Sequence, residues 1–143
     1  MTKDTGRHYT AIPGPSVVPD RVLQAMHRAA PNIYDLDLAE MVEGLVPDLK
    51  AVARTDQQAA MYIANGHGIW EAAVSNTLNA GDEVLVIATG RFAFGWAQMA
   101  ERMGVKVHIL DFGKSSPMDR EKVAEFLTAD ADHKIRAVLA VHT

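Results

Sequence analysis

The sequence predicts an α/β fold, a mostly parallel sheet with flanking helices, and three observations predict it. Of the 143 residues, 48% are apolar and 22% charged, the balance of a packed domain and not of a disordered chain. Apolar, partly β-branched runs recur at 83–88 (EVLVIA), 105–110 (VKVHIL) and 135–141 (IRAVLAV). The first lacks polar alternation, as expected of a strand covered on both faces. Between the runs, apolar residues return at intervals of three and four, so strands and helices alternate as in a parallel, doubly wound sheet.

Taken in order, residues 1–18 read as an N-terminal arm. Within it Ile12-Pro13-Gly14-Pro15-Ser16 sets two prolines around a glycine, which imposes a rigid, extended turn. Pro19 stands where a helix can begin. A helix is predicted over 21–30 from Val22, Leu23, Met26 and Ala29, stopped by Pro31-Asn32. A longer one is predicted over 38–54, with Met41, Val42, Leu45, Leu49, Val52 and Ala53 on one stripe. Pro47 should kink or interrupt it. Residues 60–64 (AMYIA) read as a short first strand, and 68–78 as a helix burying Ile69, Ala72, Ala73 and Leu78. Ala80-Gly81-Asp82 is a turn. The helix at 91–103 has Gly104 just past its end. Asp119 is a fair N-cap for a helix through Leu127, with Glu121 in its first turn. The fourth strand ends at the end of the chain with no helix to cover it. Residues 19–143 are therefore expected to be an incomplete domain, the first part of a longer protein.

Composition narrows the function. The net charge of -4 offers no basic stripe for nucleic acid. The absence of cysteine excludes disulfides and thiolate metal sites, and fits a cytoplasmic protein. No apolar run approaches the ~18 residues of a membrane span, and Met1 to Thr10 lacks the apolar stretch of a signal peptide. The histidines show no H-x-H or H-E-x-x-H spacing, so no metal site is expected. Asp35, Asp37 and Glu40 read as a solvated helix entrance.

The segment with chemistry in it is Asn65-Gly66-His67-Gly68, between the predicted first strand and its helix. The first N–H groups of a helix have no internal partner, and the macrodipole adds positive charge there. Glycines let the backbone approach an oxyanion, and Asn65 and His67 can add donors. A tight turn that binds nothing has the same residues. A dinucleotide site would need glycine three residues after Gly68, where Glu71 stands, and an acid at the end of the second strand, where Ala88-Thr89-Gly90 stands. A single phosphate fits better than a pyrophosphate.

Several segments, in order along the chain, carry a resemblance. They are Pro13-Gly14-Pro15-Ser16 with Val18-Pro19, Val22-Leu23 and Ala25-Met26; Gly66-His67-Gly68 with Glu71-Ala72-Ala73; Asn79-Ala80-Gly81-Asp82; Gly90-Arg91-Phe92; Glu101-Arg102-Met103-Gly104; and Val141-His142-Thr143. Together they resemble class V pyridoxal-phosphate aminotransferases of the alanine–, serine–glyoxylate and serine–pyruvate subgroup. The resemblance implies the type I fold of these enzymes, of which this chain would be the N-terminal part of the large domain, and a homodimer. It implies transamination between a small amino acid, alanine or serine, and a 2-oxo acid, glyoxylate or pyruvate. The implied cofactor is pyridoxal 5'-phosphate, its phosphate on Asn65, Gly66 and His67 and its ring against Phe92. The family often has tryptophan or tyrosine at that last position. Pro13 and Gly14 would lie near the substrate. No lysine of this chain is assigned as catalytic, since the family's Schiff-base lysine is expected beyond Thr143. His67 as a structural histidine, Phe92 as a core aromatic, and Trp70 and Trp96 as packing residues are the plainer readings. The alternative function is a phosphate- or nucleotide-binding α/β domain without covalent chemistry.

Overall fold

In the computed structural model, residues 12 and 14–141 are described. Pro13 and His142-Thr143, to which sequence roles were assigned, lie outside them. The chain divides into two compact units, one up to Ala60 and one from Met61.

The first unit holds two helices. Helix α1, Asp20–Met26, starts at Pro19, whose carbonyl accepts from the N–H groups of Val22 (2.9 Å) and Leu23 (3.1 Å). It ends four residues short of the predicted 21–30. None of its residues is buried, so no packing extends a helix this short, which is marginal on local hydrogen bonds alone. Helix α2, Leu36–Ala53, is continuous through Pro47. The expected interruption does not occur; Pro47 is exposed, and the helix is carried past the missing N–H by the bonds on either side. Arg54 closes it in a left-handed conformation, φ 52°, while Thr55 N–H donates to Lys50 O at 3.0 Å.

The second unit is the α/β part. Its elements are α3 (Gly66–Thr77), β1 (Glu83–Ala88), α4 (Arg91–Arg102), β2 (Lys106–Asp111), α5 (Arg120–Ala129) and β3 (Ile135–Ala140). The predicted strand at 60–64 is absent. Ala64 N–H donates to Tyr62 O only two residues back, at 3.0 Å, which folds the backbone on itself. No described strand lies beside this segment, and Ile63 is fully exposed. A strand needs a partner for its N–H and C=O groups, and apolar composition does not supply one.

Among the described residues the sheet has three strands in the order β2-β1-β3, all parallel. Glu83 to Ala88 pair with Lys106 to Asp111 on one edge. On the other edge Val84 to Ile87 pair with Ala137 to Ala140, after an irregularity beside Glu83. Residues Val84 to Ala88 of β1 are all buried, as a central parallel strand requires. Val84, Val86 and Ala88 face a cluster with Val74 of α3 and Ala93, Ala97 and Ala100 of α4. Three alanines let α4 lie close on the sheet. Phe126 of α5 meets His108 on the opposite face, ring centroids 5.6 Å apart. Placing α4 and α5 on opposite faces satisfies the right-handed crossover rule, because β2 and β3 flank β1 on opposite sides.

The turns are held by specific bonds. Gly81 N–H donates to Gly104 O (2.8 Å), and Lys106 N–H to Asp82 O (2.8 Å), so the entries to β1 and β2 are tied together. Gly104 has φ +85°, and a Cβ there would lie 3.0 Å from Ala80 Cβ. Asp119 caps α5 as predicted, its carboxylate accepting from Glu121 N–H (2.9 Å) and Lys122 N–H (3.3 Å).

At the amino edge of the sheet, Glu83 meets His108 Nε2 at 2.7 Å and Lys106 Nζ at 3.7 Å. The hydrogen bond from His108 holds the Glu83 carboxyl below its ordinary pKa, against a smaller opposing push from desolvation. A lowered folded-state pKa contributes stability above the unfolded-state value, and that contribution is lost as pH falls through the lowered one. Glu83→Gln is expected to lower stability at neutral pH and to flatten the acid side of the stability profile, read as urea midpoint against pH, with the variant and wild type converging at low pH. Leu85, fully buried in β1, should cost about 3 kcal/mol when cut to alanine, measured by urea unfolding.

Candidate functional site

Helix α3 begins two residues earlier than predicted, at Gly66, with Asn65 as its N-cap. Asn65 Oδ1 accepts from His67 N–H at 3.1 Å, and Asn65 O accepts from Gly68 N–H at 3.0 Å. Of the N–H groups that a helix start leaves over, the Asn65 side chain thus takes one. The Gly66 N–H has no partner among the described residues, and a Cβ on Gly66 would meet nothing within 4 Å. Asn65 and His67 are both exposed, leaving the Asn65 amide Nδ2 and the His67 ring free to meet a ligand. These groups suit one oxyanion, such as a single phosphate.

Gly68 has a different reason to be glycine. A Cβ there would stand 2.5 Å from Ala64 Cβ, so it is needed for the incoming chain to pass and not for a ligand to approach.

Phe92 lies in the first turn of α4, directly after the carboxyl end of β1. Its ring centroid is 6.1 Å from that of His67, so the starts of α3 and α4 meet at this edge. Four rings form a ladder between the two helices. His67 contacts Trp70 at 4.5 Å, Trp70 contacts Phe92 at 6.1 Å, and Trp70 stacks on Trp96 at 5.4 Å with 9° between planes. The Arg91 guanidinium sits 5.0 Å from the Phe92 ring centroid, a cation–π distance. Trp70 and Trp96 do pack, as predicted, but they pack on the site residues themselves. Their signal was present in the sequence: Trp70 follows His67 by three, and Trp96 follows Phe92 by four, the intervals that share a helix face.

The other strand ends are plainer. Phe112 N–H donates to Ala88 O at 2.8 Å, and Asp111 Oδ1 accepts from Gly113 N–H at 2.8 Å, a side-chain-closed turn. Between the carboxyl ends of β1 and β3 lies a cavity of about 600 Å³ lined by Ile87, Thr89, Ala140, Val141 and the segment from Lys114 to Met118. It occupies the point where the strand order reverses, the usual place for a ligand in such sheets. Gly14 belongs to the first unit and is described there alone. No described helix is long and apolar enough to cross a membrane.

No family model matches the chain. It is 37% identical over 142 residues to a serine–glyoxylate aminotransferase of Methylorubrum extorquens, covering 99% of this chain and 35% of the relative. It is 34% identical over 141 residues to an L-aspartate–glyoxylate aminotransferase of Paracoccus denitrificans, covering 96% of this chain and 35% of that protein. Among solved structures, a ureidoglycine–glyoxylate aminotransferase from Bacillus subtilis superposes with a TM-score of 0.76 at 26% identity. That superposition covers 91% of this chain and 33% of the other. The chain thus spans about a third of the length of the relatives it matches. In sequence along nearly all of its length, and in fold over most of it, the chain is similar to a part of the glyoxylate aminotransferases.

Proposed function

We propose that the full-length protein is a pyridoxal 5'-phosphate-dependent aminotransferase. It moves an amino group between a small amino acid, alanine or serine, and a 2-oxo acid, glyoxylate or pyruvate. One observation supports the reading above all: a helix start with a free Gly66 N–H and exposed Asn65 and His67 stands one ring contact from Phe92. A phosphate donor set beside an aromatic face suits a phosphorylated aromatic cofactor. The relatives compared above are named for different amino donors and for one acceptor, glyoxylate, so the acceptor has more support than the donor.

In this reading Gly66 N–H, Asn65 Nδ2 and His67 bind the cofactor phosphate, aided by the positive end of α3. Phe92 offers its π-face to the pyridine ring. Arg91, over the same ring, adds positive charge near the anion. The bound cofactor supplies an electron sink for a carbanion beside the amino nitrogen. Anchoring phosphate and ring fixes the orientation of the reacting face, which is the share of catalysis these residues contribute. Residues 19–143 belong to the large, cofactor-binding domain, and the protein works as a cytoplasmic homodimer.

The full-length protein mixed with serine or alanine and glyoxylate should consume glyoxylate in the presence of pyridoxal 5'-phosphate. In thermal unfolding, pyridoxal 5'-phosphate at a hundredfold excess over its Kd should add about 2.7 kcal/mol of stability. If a nucleotide stabilises the protein and pyridoxal 5'-phosphate does not, the site is a nucleotide-phosphate site without covalent chemistry. Phe92→Leu should weaken pyridoxal 5'-phosphate by about three- to tenfold, the scale of one aromatic contact, while Phe92→Trp retains it.

A further inference from the structure

Trp70 is exposed to neither role proposed above, yet it touches both groups that play them. It stands one helical turn after His67, with ring centroids 4.5 Å apart and planes at 59°. It meets the Phe92 ring edge-on at 6.1 Å, planes at 71°. Its other face is closed by Trp96, nearly parallel at 9° and 5.4 Å. Trp96 is itself held by stacking and not by hydrogen bonding, because its buried Nε1 has no partner among the described residues. An indole N–H left unpaired in a packed interior is disfavoured, so ring contact is what holds this stack in place. Gly95 of α4 faces the indole, and a Cβ there would lie 3.6 Å from Trp70 Cζ3, at ordinary van der Waals contact. Without Trp70, the ring contact left to His67 among the described residues is the 6.1 Å one with Phe92, and the two helix starts would lose their shared support.

We infer that Trp70 is a positioning residue that locks His67 of α3 and Phe92 of α4 into one preorganised pair, so that the phosphate-binding and ring-stacking groups engage the cofactor together. The inference rests on the proposed cofactor. Preorganised side chains lose less freedom on binding, and that difference appears as affinity. Trp70 itself need touch neither cofactor nor substrate.

The test compares Trp70→Ala, Trp70→Phe and a control, Leu139→Ala in the core, in the full-length protein. Kd for pyridoxal 5'-phosphate is measured by equilibrium dialysis, and the visible circular dichroism per bound cofactor at saturation. Trp70→Ala should raise Kd about tenfold, equivalent to about 1.4 kcal/mol. It should also diminish the dichroism, because a loosely held ring sits in a less fixed asymmetric field. Trp70→Phe should restore both within about threefold. Leu139→Ala, which lowers stability from the sheet, should alter neither. Wild-type affinity and dichroism in Trp70→Ala overturn the inference while the cofactor reading stands. An equal loss in Leu139→Ala also overturns it, since general destabilisation would then account for the effect. Failure of the wild-type protein to bind pyridoxal 5'-phosphate overturns the cofactor reading and the inference with it.

Discussion

Strand β1 must have both edges hydrogen-bonded and both faces covered, and the rest of the α/β unit is arranged by that requirement. Its residues from Val84 to Ala88 are buried, so every backbone polar group among them needs a partner within the protein. The partners are β2 on one side and β3 on the other. Parallel neighbours demand crossovers, and crossovers of one hand to opposite sides put α4 and α5 on opposite faces. Small residues at Ala93, Ala97 and Ala100 then bring α4 down onto Val84, Val86 and Ala88. The position of α4 is what places Phe92 at the carboxyl edge.

The candidate site follows from that placement. Helix α3 packs on α4 through Trp70, Trp96 and Val74 and not through a strand of its own. Two helix starts therefore converge, and each brings something different. One has a free backbone N–H and the exposed Asn65 and His67; the other has an aromatic ring under a guanidinium. Neither alone distinguishes a binding site from an ordinary turn. Their distance of one ring contact is what makes a phosphorylated aromatic ligand a specific proposal.

Elements with local causes were legible in the sequence. Asp119 as a cap, Gly104 after α4 and the buried run at 83–88 each follow from a residue's own chemistry, and each is present. Elements that need a distant partner were not. Residues 60–64 have the composition of a strand but no strand beside them, and the apolar spacing at 21–30 extends past the end of a helix with nothing buried to hold its last turn. The interruption expected at Pro47 is absent for a similar reason: at an exposed position inside an eighteen-residue helix, one missing N–H is outweighed by the remaining bonds.

By itself the sequence determined the class of fold, the candidate loop and, through motifs in register, the likeness to glyoxylate aminotransferases. These depend on periodicity, turn chemistry and residue order, all of which are local or linear. Tertiary structure decided which atoms at the loop are free and what stands next to them. Asn65 spends its side-chain oxygen on the helix and leaves its amide, Gly68 serves the approach of Ala64, and Trp70 joins His67 to Phe92. Such facts arise only when two helices from separate stretches of chain are packed on one strand, because hydrogen-bond donors and ring faces are assigned by neighbours in space.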